Sequence, residues 1–449
     1  MKTYCKRLVL SDPDIIEKCI SDYLHDKYRK NSTIRFISEH SGKDRKYIAE
    51  NYKPGTDFYK QQNRSVAVSM AENIAARTVK EHIYDTTYGF PVVRYRHIKD
   101  GGTGKDRTLG LETVQFRLYE ALTQQMAAPM FYAKLGTFQV ASIKGRGQLY
   151  GKKAVIKWLS RDPDGTKIQI KADVQKCYPS IPHEPLRNFL KRDLKKSHDL
   201  LYLFLTFIDI YEEWPDPDSS DNTRGILIGS PVSKDLCNYY LSYAYHYASE
   251  QLRTTKTRRG KTVSKRLISH IIFYMDDLIL YGNNKKDISK AMKLLTKYMA
   301  DVLLIKLKPC WRKFRSQYRD KYERQRGCIL DFMGMRFHGG NVMYKEYYGR
   351  QVKYRETWVT MRRRIFLKAR RMLHRFEKMI KKKMNVAILF AKSIASQYGW
   401  YKNTDMTSYR KANKVDALVR IARRIISDDA KGKPYKNEKY YKMWRCKCA

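Results

Sequence analysis

Asp276 and Asp277 are adjacent acids in the segment FYMDDLILYG, residues 273–282. Apolar and aromatic residues flank them on both sides, which predicts a β-hairpin whose tight turn carries the two acids. Hard divalent cations such as Mg²⁺ prefer oxygen ligands, and two such ions can hold the attacking and leaving oxygens of a phosphoryl displacement. The alternative is an exposed turn with a solvated Asp pair, so the choice depends on residues elsewhere in the chain.

A third acid lies about a hundred residues earlier, at the end of the segment KIQIKAD. Ile168, Ile170 and Ala172 alternate with polar residues and predict a half-buried strand that ends at Asp173. A two-metal site needs carboxylates from separate strands at the same ions, and Asp173 is suited to be the second strand's contribution. Tyr178 follows five residues later.

With this order and spacing, the sequence resembles the palm of reverse transcriptases. The first motif of that family is an Asp followed at this spacing by Tyr or Phe, and its third motif is Tyr-X-Asp-Asp. Between them, RGILIGSPVSKD resembles the second motif, a Gly-Ser-Pro turn that leads into a helix. Gly229 would let the backbone approach a nucleotide or template base, and Pro231 suits an early helical position. The tyrosines that follow at helical spacing are expected to pack in the core.

Further segments extend the resemblance over residues 90–410. Lys308 stands in a segment similar to the fourth motif, where a Lys lies near the nucleotide triphosphate. Residues 331–337 resemble the hairpin that grips the primer, and residues 393–409 resemble the thumb of small phage and bacterial enzymes. The resemblance implies nucleotide-binding roles for Arg107, Lys144, Arg146, Tyr178, Gly229 and Lys308, and primer-grip roles for Met333 and Gly334.

The resemblance implies an α+β fold of the right-hand polymerase type, with fingers, a palm that contains an antiparallel sheet, and a helical thumb. We expect a helical N-terminal extension over residues 1–90, fingers over 91–165, a palm over 166–345, and a basic helical thumb with a C-terminal extension over 346–449. The first helix should begin at Asp12 and Pro13. One face of it would carry Ile15, Ile16, Cys19, Ile20, Tyr23 and Leu24.

The implied activity is that of an RNA-directed DNA polymerase. Asp173 and Asp276 would be direct ligands of two Mg²⁺ ions, for which Mn²⁺ is a substitute, and Asp277 would support them. Val174 is included among the metal-binding residues. Tyr178 would lie beneath the sugar and exclude a 2′-hydroxyl, which implies dNTPs as substrates, RNA as template and DNA as product.

The charge of the chain points to the same kind of partner. The formal net charge is +46, and residues 351–449 hold 28 Lys or Arg against 7 Asp or Glu. A polyanion such as nucleic acid would neutralise this charge. Residues 362–383 read as a basic helix whose inner face carries Ile365, Leu367, Met372 and Phe376. The candidate nucleic-acid contacts are Arg258, Arg259, Arg362, Arg363, Arg364, Lys368 and Arg371.

Two shorter basic segments, residues 253–266 and 315–327, are either solvated loops or RNA contacts.

A membrane-surface role for the basic helix is disfavoured, because no signal peptide, lipidation motif or membrane-spanning apolar run accompanies it. The eight cysteines lack zinc-finger spacing and are expected to be reduced thiols of a cytoplasmic protein.

The biological role has more than one interpretation. Ile228 stands where many retroviral and group II intron enzymes have Gln, which suggests altered template handling. The first hypothesis is a defence-associated bacterial enzyme of the abortive-infection or unknown-group type, working with a structured noncoding RNA. The second is a diversity-generating retroelement enzyme, and a non-catalytic RNA-binding scaffold is a third. Priming from an RNA hydroxyl or a tyrosine stays open, and so do oligomerisation and an accessory protein.

Overall fold

The computed structural model describes residues 3–85, 91–99, 106–258, 261–347 and 349–448. Within these ranges the chain forms helices and antiparallel hairpins, and it divides into two compact units. The first unit comprises Met1–Gly145, Lys171–Ile279 and Ser289–Arg312. The second comprises Arg146–Ile170, Leu280–Ile288 and Lys313–Ala449.

Helices open the first unit, as the sequence predicts. The first, α1, spans Pro13–Leu24, and the Asp12 side chain caps it by accepting a hydrogen bond from the Asp14 amide. Its buried residues are Ile16, Cys19, Ile20 and Leu24, four of the six expected on the inner face. The helices that follow are α2 (Asn31–Ser41), α3 (Arg45–Asn51), α4 (Asp57–Ala76) and α5 (Val79–Tyr84).

A hairpin and a long helix follow in the first unit. Strands β1 (Val93–Lys99) and β2 (Asp106–Glu112) pair in antiparallel register, with Tyr95 opposite Gly110. Helix α6 (Val114–Lys134) starts directly after β2, with the Thr113 side chain accepting the Phe116 amide. The next elements along the chain are α7 (Gln148–Arg161), β3 (Ile168–Asp173), α8 (Cys177–Ser180), α9 (His183–Asp193), α10 (His198–Glu213) and α11 (Ser233–His246).

The basic segment 253–266 forms a β-hairpin instead of a loop, and its contact with RNA stays a prediction. A π-helical turn, Tyr247–Gln251, ends α11, and β4 (Arg253–Arg258) then pairs with β5 (Lys261–Arg266). Thr255 lies opposite Ser264, and Lys256 opposite Val263. Threonine and valine favour the extended backbone, which lets a strongly charged segment still form strands.

The strands that carry the predicted acids belong to one sheet. Strands β6 (His270–Tyr274) and β7 (Asp277–Gly282) form the predicted hairpin, and helix α12 (Lys285–Asp301) follows. The strand order in this sheet is β6-β7-β3-β8, with β8 spanning Arg312–Arg315. Strand β3 is therefore the neighbour of β7, which brings two acidic strand ends together.

Small antiparallel sheets and a helical core make up most of the second unit. Strands β9 (Tyr318–Arg319) and β10 (Gln325–Arg326) form a short hairpin, and the order of the next sheet is β11-β12-β13. These three strands span Leu330–Phe332, Met335–Tyr347 and Arg350–Met361. The region expected to be helical from residue 346 therefore begins with strands. Its helices are α13 (Arg363–Lys381), α14 (Ile388–Lys402), α15 (Thr407–Ala412), α16 (Val415–Ala430) and α17 (Asn437–Cys448).

The predicted inner face of α13 is confirmed in part, with Phe376 fully buried. The buried residues of this helix are Ala369, Leu373, Phe376 and Ile380. Ile365 and Met372 lie half-buried at the edge of the same core. The buried residues follow each other at intervals of four, three and four, which is the helical row that faces a neighbour. The prediction passed over Ala369 because a small residue contributes little to a hydrophobic pattern.

Candidate active site

Asp173 lies at the end of β3, as predicted, but this strand is more deeply buried than expected. Ile168, Ile170 and Ala172 are buried, and Gln169 on the opposite face is also only 1% exposed. The strand is therefore covered on both faces at its start, as is typical of an inner strand of a sheet. Only its last residues approach the surface, where the Asp173 side chain is about 30% exposed.

The hairpin turn places Asp276 beside the end of β3. The Val174 amide donates a hydrogen bond to the Asp276 carbonyl oxygen at 2.9 Å. Met275 precedes Asp276 with φ 56°, a left-handed conformation that is rare for residues with a side chain. Strained backbone of this kind is often found where a functional side chain must be aimed. The structure thus confirms the predicted hairpin and joins both acidic segments through a backbone hydrogen bond.

The carboxylates of Asp173, Asp276 and Asp277 influence one another's charge at this site. Burial raises the pKa of Asp276, and the neighbouring charges of Asp173 and Asp277 raise it further, while Lys308 opposes them. The Lys308 ammonium donates to Asp173 Oδ2 at 2.8 Å, and its amide donates to the Asp173 carbonyl at the same distance. Lys308 was predicted to lie near the nucleotide triphosphate. The structure holds Lys308 beside the carboxylates, and its contact with a triphosphate stays a prediction.

The carboxylates retain coordination capacity for a cation. Asp173 Oδ1 is buried and has no hydrogen-bond partner among the described residues, which is costly for a carboxylate oxygen unless a ligand satisfies it. Asp277 Oδ2 lies 3.8 Å from the ammonium of Lys171. Within the described residues, no group of three or more His, Cys, Asp or Glu side chains is arranged to hold a metal ion. The unsatisfied oxygen and the like charges fit a cation, although no complete ligand set is assembled.

Tyr178 lies in the short helix α8, close to the hairpin turn. Its hydroxyl is 3.9 Å from Met275 Sδ, and its carbonyl accepts the Ile226 amide at 3.1 Å. The pKa of the phenol is raised, first by burial and then by Cys237, Cys177 and Asp276. The backbone of Tyr178 is thus joined to the segment before the Gly-Ser-Pro turn, and its side chain contacts the turn that carries Asp276.

The Gly-Ser-Pro turn has the backbone geometry that glycine permits. Gly229 has φ 113°, and a Cβ there would lie 3.2 Å from the Gly110 carbonyl oxygen. The Gly110 amide donates to the Ile228 carbonyl, so the turn is joined to β2. Helix α11 starts at Ser233, two residues after Pro231, so the expectation that Pro231 lies inside the helix was wrong. The Ser230 side chain accepts the Val232 and Ser233 amides and leaves Pro231 in the preceding turn.

A buried glutamate supports this turn, and nothing in the sequence pattern singled it out. Glu120 on α6 is fully buried, and its Oε1 accepts hydrogen bonds from Ser230 at 2.6 Å and Tyr211 at 2.8 Å. Burial raises its pKa well above the usual range, and the charge of Glu112 adds to the effect. Glu120 therefore favours its protonated form in the folded protein. The sequence signal was weak: one acid in a helix whose other buried residues are mostly apolar.

This titration predicts a pH-dependent effect of Glu120→Gln on stability. The folded state holds a proton that the unfolded state releases above about pH 4.5, so the free energy of unfolding falls as pH rises from there through the folded pKa. Gln retains an oxygen for Ser230 and Tyr211 but does not titrate. Urea denaturation should therefore show the variant gaining stability relative to the native protein between about pH 5 and about pH 8.

The control for this experiment is Glu120→Ala, which removes the acceptor itself. Two buried hydroxyls then lose their partner, and we expect a loss of about 1–3 kcal/mol at both pH values. An unchanged difference between Glu120→Gln and the native protein at the two pH values would contradict a protonated Glu120.

The predicted finger residues lie on β2 and in the turn before α7. Arg107 is exposed on β2, opposite Ile98 of β1. Lys144 is exposed in a turn, and Arg146 is half-buried just before α7. Gly145 and Gly147 both have positive φ, a conformation that glycine adopts without steric cost. Arg107 and Lys144 belong to the first unit, and Arg146 begins a segment of the second.

The predicted primer-grip segment forms a tight hairpin in the second unit. Met333 and Gly334 connect β11 to β12 with φ 52° and 75°, as in a two-residue turn with both residues left-handed. A Cβ on Gly334 would approach the Trp400 ring to 2.6 Å. Gln148 donates to the Met333 carbonyl at 3.1 Å. The hairpin is thus confirmed, while its contact with a primer stays a prediction.

The basic residues predicted to bind nucleic acid have different environments. Arg362 Nε donates to Asp331 Oδ1 at 2.6 Å, so part of this guanidinium already has an internal partner. Of the candidates on α13, Arg363, Arg364, Lys368 and Arg371 are exposed. Arg258 is the last residue of β4, and Arg259 lies outside the described residues.

A family match covers the segment that holds this site. Residues 98–312 match the family described as reverse transcriptase (RNA-dependent DNA polymerase). The structure of an apo telomerase from Candida tropicalis, truncated from the C-terminal domain, is similar with a TM-score of 0.37 and 12% identity. That similarity covers 71% of this chain and 70% of the telomerase chain. No curated protein matches the sequence.

The matched segment contains Asp173, Tyr178, the Gly-Ser-Pro turn, the Asp276–Asp277 pair and Lys308. The protein is an RNA-directed DNA polymerase, a nucleotidyltransferase. The mixture of helices and antiparallel sheets agrees with the predicted α+β, right-hand polymerase fold. An enzyme of this class takes an RNA template and dNTPs and makes DNA.

No helix in the described part of the chain is long and apolar enough to cross a membrane.

Proposed function

We propose that Asp173, Asp276 and Asp277, with Val174 at the strand end, bind two Mg²⁺ ions and form the catalytic centre of this polymerase. The observation that carries the proposal is the convergence of β3 and the β6–β7 turn, where Asp173 Oδ1 is buried and finds no partner in the part of the chain that the structure describes. Bound divalent ions would activate the primer hydroxyl and neutralise the triphosphate.

The protein's own groups would mainly position the reactants. Lys308 adds a positive charge within reach of the carboxylates, where it can also meet a triphosphate oxygen. Gly229 offers a backbone free of side-chain bulk on an exposed turn, which suits close approach of a nucleotide or template base. Tyr178 would pack against the sugar of the incoming dNTP.

We further propose that residues 91–165 act as fingers, residues 166–345 as palm, and residues 346–449 as thumb and C-terminal extension. The helices of residues 1–90 would form an N-terminal extension. The last 99 residues carry 28 basic side chains and lie outside the matched polymerase domain. Such charge suits persistent contact with phosphate groups.

The biological role we propose is a cytoplasmic, bacterial anti-phage defence enzyme that copies a dedicated structured noncoding RNA. The basic surface beyond the matched domain supports this role, because a polymerase that copies one bound RNA needs contacts to that RNA outside its catalytic centre. A diversity-generating retroelement enzyme is the alternative, favoured by Ile228 at the template-facing turn.

Sequencing the nucleic acids that copurify with the protein tests the role. The protein would be purified from its native host, and a matched sample would carry Asp276→Asn. We expect one structured RNA in both samples and its DNA copy only with the native protein. A template that resembles a nearby variable gene would favour diversification, and an unselected mixture of cellular RNAs would contradict a dedicated RNA.

A further inference from the structure

The turn between β9 and β10, residues 320–324, is held in one shape by Asp320. Its Oδ1 accepts the Tyr322 and Arg324 amides at 2.9 and 3.0 Å, and its Oδ2 accepts Arg326 Nε at 2.9 Å. The Asp320 amide also donates to the Arg324 carbonyl at 3.0 Å. An acidic side chain that satisfies successive amides preorganises a turn. We call residues 318–326 the Asp320 loop.

The Asp320 loop presents a tyrosine ring to solvent with cations against it. Tyr322 is 63% exposed. The Lys321 ammonium and the Arg324 guanidinium each lie 4.8 Å from the centre of its ring. The Arg315 guanidinium, at the end of β8, lies 4.4 Å from the ring of Tyr318 in β9. An exposed aromatic face with adjacent positive charge is the arrangement on which unpaired bases stack while phosphates meet the cations.

The base of the loop is anchored within the second unit. Strand β9 packs against β12, and Gly327 has φ 76° where a Cβ would approach the Ser316 carbonyl oxygen to 2.4 Å. Arg319 Nε is buried and has no hydrogen-bond partner among the described residues. The base of the loop is therefore held in place by packing within its own unit.

The position of the loop in the chain separates it from the catalytic motifs. The matched polymerase domain ends at residue 312, before β9 begins. Asp173, Tyr178, Asp276 and Lys308 all belong to the first unit, and the loop belongs to the second. The loop therefore lies outside the segment that carries the predicted catalytic residues.

We propose that the Asp320 loop binds an unpaired segment of RNA, with a base stacked on Tyr322 and phosphates contacted by Lys321 and Arg324. Unpaired RNA fits better than a duplex, whose base faces are already stacked on each other. It also fits better than an acidic protein, because the cations frame an exposed ring that acidic side chains alone would not use. The template is the single strand that this enzyme holds before synthesis starts, so we assign RNA as the ligand.

Binding of a fluorescent 12-nucleotide oligoadenylate RNA to the full-length protein tests this site. A blunt primer–template hairpin is added in excess to occupy the polymerase centre, and fluorescence anisotropy reports the dissociation constant. Tyr322→Ala should weaken binding by about tenfold, since stacking of one base on an aromatic ring is commonly worth that much. Tyr322→Phe retains the ring and should bind within about twofold of the native protein.

Three controls make the result specific. Tyr47→Ala removes another exposed tyrosine, whose ring meets Phe58 edge-on, and should leave binding unchanged. Asp320→Ala keeps Tyr322 but releases the turn, and should weaken binding as Tyr322→Ala does. Synthesis on the short primer–template should stay at the native rate in all variants, so a failure of the loop proposal is distinguishable from a failure of the catalytic one.

Several outcomes would overturn the proposal. Equal losses for Tyr322→Phe and Tyr322→Ala would mean that the hydroxyl, not the ring, makes the contact. Equal affinity for a duplex, or tighter binding of the matching oligodeoxyadenylate, would contradict unpaired RNA as the ligand. Unchanged binding in both Tyr322→Ala and Asp320→Ala would remove the site.

Discussion

Replacing Asp276 by Asn is expected to reduce DNA synthesis by more than about 10³-fold, because one of the negative charges that would hold the catalytic ions is lost. The hydrogen bond between Val174 and Asp276 uses the backbone carbonyl, so the substitution leaves it intact. Burial and the charges of Asp173 and Asp277 disfavour the ionised Asp276, and neutral Asn relieves this repulsion. The melting temperature should therefore stay equal or rise while activity disappears.

Primer extension on an RNA template with labelled dNTPs measures the activity, and a thermal melt measures stability. Asp301→Asn is the matched control, because Asp301 is an exposed acid at the end of α12 and its substitution should leave synthesis near the native level. Retained synthesis in Asp276→Asn would contradict the catalytic assignment. A large fall in melting temperature would instead indicate a structural role.

Replacing Tyr178 by Ala is expected to let the enzyme incorporate ribonucleotides. The ring lies beside the turn that carries Asp276, and its hydroxyl has only a weak contact with Met275 Sδ at 3.9 Å. The bulk of the ring, not its hydroxyl, would therefore exclude the 2′-hydroxyl of the sugar. Rejection of one added hydroxyl by a packed site is commonly worth about 10²-fold in kcat/KM, and this preference for dNTPs should be lost.

Single-nucleotide incorporation with dATP and ATP on the same RNA template gives the ratio of kcat/KM values. Tyr178→Phe is the control, and it should keep the preference for dATP because the ring remains. An unchanged ratio in Tyr178→Ala would remove the proposed role, even if the overall rate falls.

The sequence by itself determined the chemistry of this protein and the local structure that carries it. Asp276 and Asp277 lie between short apolar runs, and only a hairpin lets such runs bury their side chains with acids at the turn. Asp173 ends an alternating strand, and Asp12 with Pro13 marks the first helix. Each of these features depends on neighbours within a few residues, so periodicity and turn chemistry were sufficient to predict them.

The tertiary structure alone decided which distant groups meet. Glu120 supports the Gly-Ser-Pro turn from 110 residues away along the chain, and Lys308 pairs with Asp173 across 135 residues. The buried row of α13 was predicted only in part because the partner surface, not the helix, selects which residues become buried. Asp320 holds the turn between β9 and β10 in one conformation, whereas the composition of this segment left a solvated loop or an RNA contact open. Contacts between remote segments depend on how the whole chain packs, and no local pattern encodes that packing.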